Sequence, residues 1–322
     1  MARPVIVTEF FDLTKLEDQN SSTRSIDYYI RNGKGMLCLP YPMVIFCDTV
    51  TKPLIQSVRE EATSAPTVYV EKNLAEYDHY KNNCKIVKEN RTTGGWYGSH
   101  TRNTVSYFLT TSFKFVALNI ADQRNDFDAT HYFWIDFGLH HTVGEELFEY
   151  SKAIFENPNP KISSMYINYR SSKDLQKMEW VCNNGQCGMA GGFFSVERPY
   201  ANKLYSLAMS VFYEQINRGV GHADEQIFTF CFDRRPEYFT IYYGDYKSLM
   251  CNYHEIRRDI WLIKECFIKK TMNACKRELA ERVVKMALES KTLQLSQEDR
   301  EMFQQILEST EQRTYDLLPG AE

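Results

Sequence analysis

The sequence predicts an α/β fold: a mixed, mainly parallel β-sheet between flanking helices, followed by a helical extension at the C-terminus. Two observations carry this prediction. Short apolar runs alternate with segments of helical periodicity up to residue 253, and residues 256–288 contain neither glycine nor proline. A fully apolar run is typical of a strand buried on both faces, as in a parallel sheet that helices cover on both sides.

Strand-like runs and helical segments follow one another from the N-terminus. The first predicted strands are residues 5–8, 43–48, 67–70 and 132–136, and further apolar runs lie at 165–169, 189–196 and 239–245. The predicted helices are 26–39, interrupted at Gly33 and Gly35, 51–61, 101–120 and 200–217, with a glycine-rich loop at 93–98. This alternation of strands and helices indicates a layered α/β domain.

The C-terminal part has a different texture. Apolar residues recur every three to four positions over 256–288, which predicts one long amphipathic helix or two stacked ones. Ser296 and Asp299 have the spacing of a capping box and open a last predicted helix through residue 307. We therefore divide the chain into a main domain, 1–255, and a helical extension, 256–322. The extension is either a cover on the main domain or a surface for a partner or a second copy.

Composition excludes several classes of protein. The 322 residues are 43% hydrophobic and 25% charged, with a net charge of −4, and the mixed charges weigh against non-specific binding of nucleic acid. The nine cysteines are scattered without a repeated Cys-x-x-Cys, so we expect reduced thiols rather than a disulfide framework. No leader and no apolar stretch of membrane-spanning length is recognisable, and a cytoplasmic location is the expectation.

Three common enzyme motifs are missing from the sequence. There is no Gly-x-x-x-x-Gly-Lys loop, no Gly-x-Gly-x-x-Gly after a strand and no Gly-x-Ser-x-Gly. These absences disfavour a P-loop nucleotidase, a Rossmann dehydrogenase and the common hydrolase elbow.

Acidic residues follow predicted strands at positions that favour a site. Asp48 and Asp136 each end an apolar run, and Asp224 and Glu225 come later in the chain. Ligands of open α/β sheets bind just past the carboxyl ends of the strands. Acids that meet there repel one another unless a cation such as Mg²⁺ or Mn²⁺, or the hydroxyls of a sugar, offset them. The alternative for each acid is an ordinary helix cap or turn.

An Asp-x-Asp sequence is present at Asp126 and Asp128, but it precedes the apolar strand and is predicted to be a solvated loop. At the other end of that strand Asp136 is the single acid, because Gly138 stands two residues later. His140 and His141 are then either further ligands or ordinary surface residues.

Paired glycines, Gly191 and Gly192, interrupt an apolar, strand-like run. Glycine weakens a strand unless another group approaches the backbone closely. That group is either a ligand such as a sugar ring, or the pair marks a β-bulge.

Five segments in fixed order resemble those of one known family. They are residues 7–12 (VTEFFD), 41–48 (YPMVIFCD), 134–138 (WIDFG), 190–194 (AGGFF) and 223–226 (ADEQ). The chain resembles the HtrL/YibB (WlaTC-like) family, whose members look like GT-A-type glycosyltransferases. The resemblance covers about residues 5–253 and leaves the helical extension unexplained.

The resemblance implies roles for particular residues. It implies a donor-binding set that holds the nucleotide, the diphosphate and the sugar, made of Thr8, Phe10, Asp12, Arg24, Asp48, Asp136, Gly191 and Gly192. It implies that Asp224 or Glu225 is the catalytic base of an inverting reaction. It also implies a metal shell in which Asp136 is joined by Asp245 or His254, although Gly138 replaces the second acid of the family motif.

The sequence thus predicts a glycosyltransferase, of hexose or pentose, that moves a sugar from a nucleotide-sugar donor to a glycan or glycoconjugate with help from Mn²⁺ or Mg²⁺. One alternative is a catalytically inactive nucleotide- or sugar-binding module of the same fold. Another is a metal-dependent phosphodiesterase or nuclease, which needs denser clusters of acids and histidines. We also expect that oligomers, if they form, use the C-terminal helices.

Overall fold

A computed structural model of the chain describes residues 2–16, 24–93, 104–221 and 223–316. In these ranges seven strands form one sheet in the order β3-β2-β1-β4-β6-β5-β7. The strands are β1 Pro4–Phe10, β2 Met43–Cys47, β3 Thr67–Glu71, β4 His131–Ile135, β5 Ile162–Tyr166, β6 Met189–Glu197 and β7 Phe239–Tyr243.

The sheet is mixed and mainly parallel, as predicted. β1 pairs in parallel with β2 and β4, β2 with β3, and β5 with β7. Among these seven strands, β6 alone runs in the opposite direction, between β4 and β5. The carboxyl ends of the six other strands and the amino end of β6 therefore share one edge of the sheet, which we call the carboxyl edge.

Helices cover both faces of the sheet. Their bounds are α1 Ile26–Leu37, α2 Thr51–Ala62, α3 Asp78–Thr93, α4 Val105–Arg124, α5 His140–Val143, α6 Glu146–Glu156, α7 Ser172–Leu175, α8 Met178–Asn183, α9 Ala201–Asn217, α10 Asp224–Arg234, α11 Ile260–Ile263, α12 Lys269–Asn273, α13 Arg277–Glu289 and α14 Gln297–Asp316. Single 3₁₀ turns lie at Leu13–Lys15, Leu74–Glu76, Arg198–Tyr200, Pro236–Tyr238 and Tyr246–Ser248, and a π-helical turn at Lys264–Ile268.

Alternation along the strands assigns side chains to two apolar layers. Val5, Val7 and Trp134 belong to the layer that packs under α3, α4, α9 and α10. Ile6 and Phe133 point the other way, into the layer under α1, α2 and α6. Both faces of the central strands are thus buried, which is why they read as continuous apolar runs.

The C-terminal helices cover the first of these layers. Ile256, Phe267, Val283 and Phe303 are buried in the same apolar cluster as Trp134. Of the two expectations for residues 256–288, one long helix or two stacked ones, the structure has a divided segment, in which the chain turns at Cys275, with a φ of +55°, between α12 and α13. The amide of Asp299 donates to Oγ of Ser296 at the start of α14, as the capping pattern predicted. These contacts favour the interpretation as a cover, while the division at residue 255 and the oligomer stay predictions.

Some elements differ from expectation. α3 and α6 were not among the predicted helices. α1 continues through Gly33 and Gly35, both of which are buried. The ring of Phe137 packs against Gly33, and the side chain of His140 packs against Gly35. The glycine-rich loop expected at 93–98 lies outside the described residues from 94 onward.

All nine cysteines are free. No helix in the described ranges is long and apolar enough to span a bilayer.

Candidate active site

A cavity of about 520 Å³ opens at the carboxyl edge of the sheet. The loops after β1 and β4, one side of α4 and the start of α10 line it. Its lining residues include Glu9, Phe10, Asp12, Arg24, Tyr29, Tyr107, Lys114, Trp134, Asp136, Phe137, His141, Gly192, Glu225 and Tyr246. Most of this set follows strand ends, where the mainly parallel topology leaves a crevice.

Aromatic rings form one wall of the cavity. The rings of Phe10 and Phe137 stack with centroids 4.5 Å apart and an interplanar angle of 11°. Tyr29 from α1 lies with its ring centroid 5.4 Å from that of Phe10. Such a wall offers an apolar surface on which a planar ligand group can lie.

The loop after β1 is held by side-chain hydrogen bonds. Oδ1 of Asp12 accepts a bond of 3.0 Å from the amide of Thr14 and so caps the 3₁₀ turn that follows. Arg24 stands at the rim with its guanidinium 5.0 Å from the ring centroid of Tyr28. Asp12 and Arg24 therefore border the cavity, and their contact with a nucleotide stays a prediction.

Asp48 and Thr8 lie at the same edge but do not face the cavity. Oδ1 of Asp48 accepts from the amides of Val50 and Thr51 at the start of α2, and Oδ2 accepts from the amide of Asp12. Thr8 is fully buried and its hydroxyl donates to the carbonyl of Ile135. The expectation that these two residues contact the donor is therefore corrected, because neither lines the cavity. Asp48 caps the start of α2 and positions Asp12, and Thr8 joins β1 to β4.

Asp136 faces the cavity from the end of β4. Its amide donates to the carbonyl of Gly192, which fixes the backbone. Oδ1 accepts 2.6 Å from Nε1 of Trp134 and 3.1 Å from Nζ of Lys114. The side chain is 45% exposed, so Oδ2 stays accessible to a ligand.

Lys114 is a buried cation at the centre of the site. It comes from the middle of α4 with a side chain 2% exposed. Nζ donates to Asp136, to the carbonyl of Gly191 at 2.9 Å and to Oδ2 of Asp224 at 2.5 Å. Burial alone lowers the pKa of Lys114, but the two carboxylates outweigh it and raise that pKa above its ordinary value. Lys114 therefore favours the ammonium form.

Gly191 makes room for this arrangement. A Cβ atom there would lie 1.9 Å from Oδ2 of Asp224. The glycine thus serves the approach of a carboxylate from the protein itself, which corrects the expectation that Gly191 borders the donor sugar. Gly192, by contrast, lines the cavity beside Asp136.

The two acids at the start of α10 have different surroundings. The side chain of Gln226 reaches back to accept from the amide of Ala223, which starts the helix. Asp224 is buried against Lys114 and is not part of the cavity wall. Glu225 lines the cavity, and the hydroxyl of Tyr246 donates to it over 3.3 Å. Burial, with Glu225 adding to it, raises the pKa of Tyr246, so the phenol stays a donor.

Glu9 is a buried acid in the cavity wall. It is 8% exposed, and its Oε2 has no hydrogen-bond partner in the described part of the chain. Burial raises its pKa well above the ordinary value; Lys114 opposes this, and Asp136 and Asp224 add to it. Glu9 thus favours the neutral form.

The expected metal shell is not assembled. Nε2 of His254 donates to the carbonyl of Asn157, which precedes β5, so His254 lies toward the opposite edge of the sheet. Asp245 follows β7 at the carboxyl edge, and its backbone closes a turn with Ser248. His141 lines the cavity, whereas His140 lies 3.8 Å from Glu145. Asp136, Asp245 and His254 therefore do not form one shell.

The described residues do not fit a resident divalent cation. Among residues 2–16, 24–93, 104–221 and 223–316, no group of three or more His, Cys, Asp or Glu is arranged to hold a metal. Mg²⁺ and Mn²⁺ need several oxygen ligands. Here Oδ1 of Asp136 already accepts two hydrogen bonds, and the adjacent ammonium of Lys114 repels a second cation.

Lys114, Glu9 and Tyr246 were missed by the sequence reasoning. Lys114 does leave a signal, since it is a single charge between Phe113 and Phe115 in an apolar helix. Glu9 is likewise a lone acid in a buried strand. A charge inside an apolar segment needs a partner, and that need identifies both residues.

The fold and the cavity define an α/β protein with an open cavity at the carboxyl edge of a mainly parallel sheet. The model of the family described as "Bacterial protein of unknown function (HtrL_YibB)" matches residues 3–254, and the chain belongs to this family. The resemblance in its motifs is thereby confirmed. No curated protein matches the chain.

Solved structures with a similar arrangement include transferases. Mouse xyloside xylosyltransferase 1, in its apo form, is 12% identical with a TM-score of 0.42, over 73% of this chain and 83% of that one. Core-mannan synthase A (CmsA/Ktr4) from Aspergillus fumigatus, in an Mn/GDP form, is 11% identical with a TM-score of 0.40, over 75% and 73%. The 4-diphosphocytidyl-2C-methyl-D-erythritol synthase from Anaerococcus prevotii is 10% identical with a TM-score of 0.37, over 82% and 96%.

Proposed function

We propose that this protein is a glycosyltransferase of GT-A type that moves a hexosyl or pentosyl group from a nucleotide sugar to a glycan or glycoconjugate. The observation that carries the proposal is the set of side chains that line one cavity. An aromatic wall, a rim arginine and two carboxylates facing the same space, Asp136 and Glu225, supply one group for each part of a nucleotide sugar and its acceptor.

Each group has a role in this proposal. Phe10 and Tyr29 offer the surface for the base, and Arg24 supplies positive charge for the diphosphate. Oδ2 of Asp136, with Gly192 beside it, accepts from a hydroxyl of the donor sugar. Glu225 takes the proton of the acceptor hydroxyl while the acceptor oxygen bonds to the anomeric carbon. The bond from that carbon to the diphosphate oxygen breaks at the same time.

Glu225 is preferred to Asp224 as the base. A general base must come within hydrogen-bond reach of the proton that it removes. Glu225 lines the cavity, whereas Asp224 is 4% exposed and bonded to Lys114. The assignment of one base therefore follows from accessibility.

The proposal is tested by donor binding and hydrolysis. Nucleoside diphosphates and nucleotide sugars are screened by thermal shift, and each binder is assayed for slow release of nucleoside diphosphate. We expect the nucleoside diphosphate of one base to raise the melting temperature, and a nucleotide sugar with that base to be hydrolysed. Asp136→Asn should reduce the release at least tenfold, while Asp128→Asn, the same change in an exposed loop at the other edge, should leave it unchanged.

A second candidate is a binding module without turnover. It is favoured by one observation: Lys114 engages Asp224, so that of the two acids at the start of α10 Glu225 alone lines the cavity. A thermal shift with nucleotide but no release with any sugar would select this candidate. If no nucleotide or nucleotide sugar binds, both candidates fail.

A further inference from the structure

We propose that Lys114 is the resident cation of this site: its ammonium stands between Asp136 and Asp224 in place of a divalent metal, and donor binding and transfer proceed without one. The statement about transfer rests on the proposed function. The statement that the site excludes a metal ion rests on the geometry alone.

The hydrogen bonds of Lys114 are saturated. An ammonium has three N–H donors. Nζ has three acceptors: Oδ1 of Asp136, Oδ2 of Asp224 and the carbonyl of Gly191. Because one acceptor is backbone in the middle of the sheet, the position of the charge is fixed rather than adjustable. Lys114 is thus built into the site.

Trp134 supports the same arrangement. Its Nε1 donates to Asp136, and its ring centroid lies 5.4 Å from Nζ of Lys114. The face of an indole ring attracts a cation. One side chain therefore orients the carboxylate and stabilises the ammonium beside it.

The two carboxylates are consequently closed to a metal ion. Both could ligate a divalent cation only if Lys114 left the space between them. Lys114 is 2% exposed and lies in the middle of α4. Water therefore cannot replace the hydrogen-bond acceptors that its ammonium would lose by moving away. Oδ2 of Asp136 remains free, and it suits a neutral sugar hydroxyl as donor.

The consequence for the proposed reaction concerns the leaving diphosphate. A metal would offset its charge directly. With Lys114 engaged by three acceptors, this task passes to cationic side chains at the rim, of which Arg24 borders the cavity. Transfer should then be insensitive to chelators and sensitive to the charge of residue 24.

Metal binding is measured first, on the full chain without nucleotide, by Mn²⁺ titration with EPR detection of the free ion. We expect no wild-type site with a dissociation constant below about 1 mM. Lys114→Ala leaves Asp136 and Asp224 unpaired and should bind Mn²⁺ at least tenfold more tightly than wild type. Lys114→Arg keeps the charge and should resemble wild type, as should Lys152→Ala, a lysine exposed on α6.

Micromolar binding of Mn²⁺ by wild type would overturn the proposal. So would a Lys114→Ala protein that folds and binds no more Mn²⁺ than wild type. If Lys114→Ala fails to fold, the double variant Lys114→Ser, Asp224→Asn retains Asp136 with no opposing ammonium. It should bind Mn²⁺ more tightly than the single variant Asp224→Asn, and equal binding by the two overturns the proposal.

Hydrolysis of the donor is then compared in EDTA and in Mn²⁺. We expect rates within twofold of each other, and a tenfold loss in EDTA would contradict metal-free transfer. If no nucleotide sugar is hydrolysed under either condition, the proposed function fails, but the titration still decides whether Lys114 excludes the metal. The two failures are therefore distinguishable.

Discussion

The Cα of Gly191 approaches the carboxylate of Asp224 so closely that a Cβ atom would lie 1.9 Å from Oδ2. The same residue accepts from Lys114 through its carbonyl. Position 191 therefore decides whether the carboxylate and the ammonium can meet.

Gly191→Ala should lower the free energy of unfolding by about 1–3 kcal/mol, because the added methyl overpacks a buried site and displaces Asp224 from Lys114. Urea unfolding measures this change. Gly192→Ala is the matched control, since its Cβ would lie 3.4 Å from Asp136 and Leu139, and it should stay within about 1 kcal/mol of wild type. Equal effects at the two glycines would contradict the role of Gly191.

Glu225→Gln should reduce the transfer rate by a factor of about 10²–10⁴, the usual contribution of a general base. It should change the free energy of unfolding by less than about 1 kcal/mol, because Glu225 is a partly exposed residue in the first turn of α10. Initial rates with a saturating donor and urea unfolding measure the two effects.

Asp224→Asn should show the reverse pattern in stability. It removes one charge from a buried pair with Lys114, and breaking such a pair costs about 3 kcal/mol. A stable Asp224→Asn protein with no activity, next to a fully active Glu225→Gln protein, would reassign the base to Asp224.

Glu9→Gln should stabilise the protein at neutral pH and have a smaller effect in acid. The folded-state pKa of Glu9 is raised, so the native state keeps a proton that the unfolded chain releases above its ordinary pKa of about 4.3. Stability that involves Glu9 is therefore fully present below that pH and declines as the pH rises toward the folded-state pKa. Unfolding free energies at pH 4 and pH 7.5 measure the difference. A stabilisation that is equal at both values would mean that folding does not raise the pKa of Glu9.

Arg59→Lys should lower the free energy of unfolding by about 2–4 kcal/mol, since backbone carbonyls would lose buried donors. The buried guanidinium donates to the carbonyls of Leu37, Leu39 and Tyr41 and to Oγ1 of Thr67. A lysine cannot reach all four acceptors from one position. Arg235→Lys, an exposed arginine paired with Glu237, should change stability by less than about 0.5 kcal/mol. Comparable losses in the two variants would argue against this role of Arg59.

Apolar runs and helical spacing in the sequence predicted most of the strands and several of the long helices. The buried strands, α2, α4 and α9 follow from apolar runs and helical spacing, and they place Asp136 at a strand end. The pairing order of the strands did not follow, nor did the reversed direction of β6. Those depend on which surfaces pack together, and a short apolar run fits either direction.

The same division applies to the site. The sequence by itself determined which strand ends carry acids, that Asp136 lacks a second acid at Gly138, and that the chain belongs with the HtrL_YibB family. Only the tertiary structure decided that Asp48 caps a helix, that Glu225 rather than Asp224 meets the cavity, and that Lys114 joins Asp136 to Asp224. The physical reason is separation: Lys114 lies 22 and 110 residues from these partners. Periodicity fixes the face of each element, but the way α4 packs across the sheet decides which charges meet.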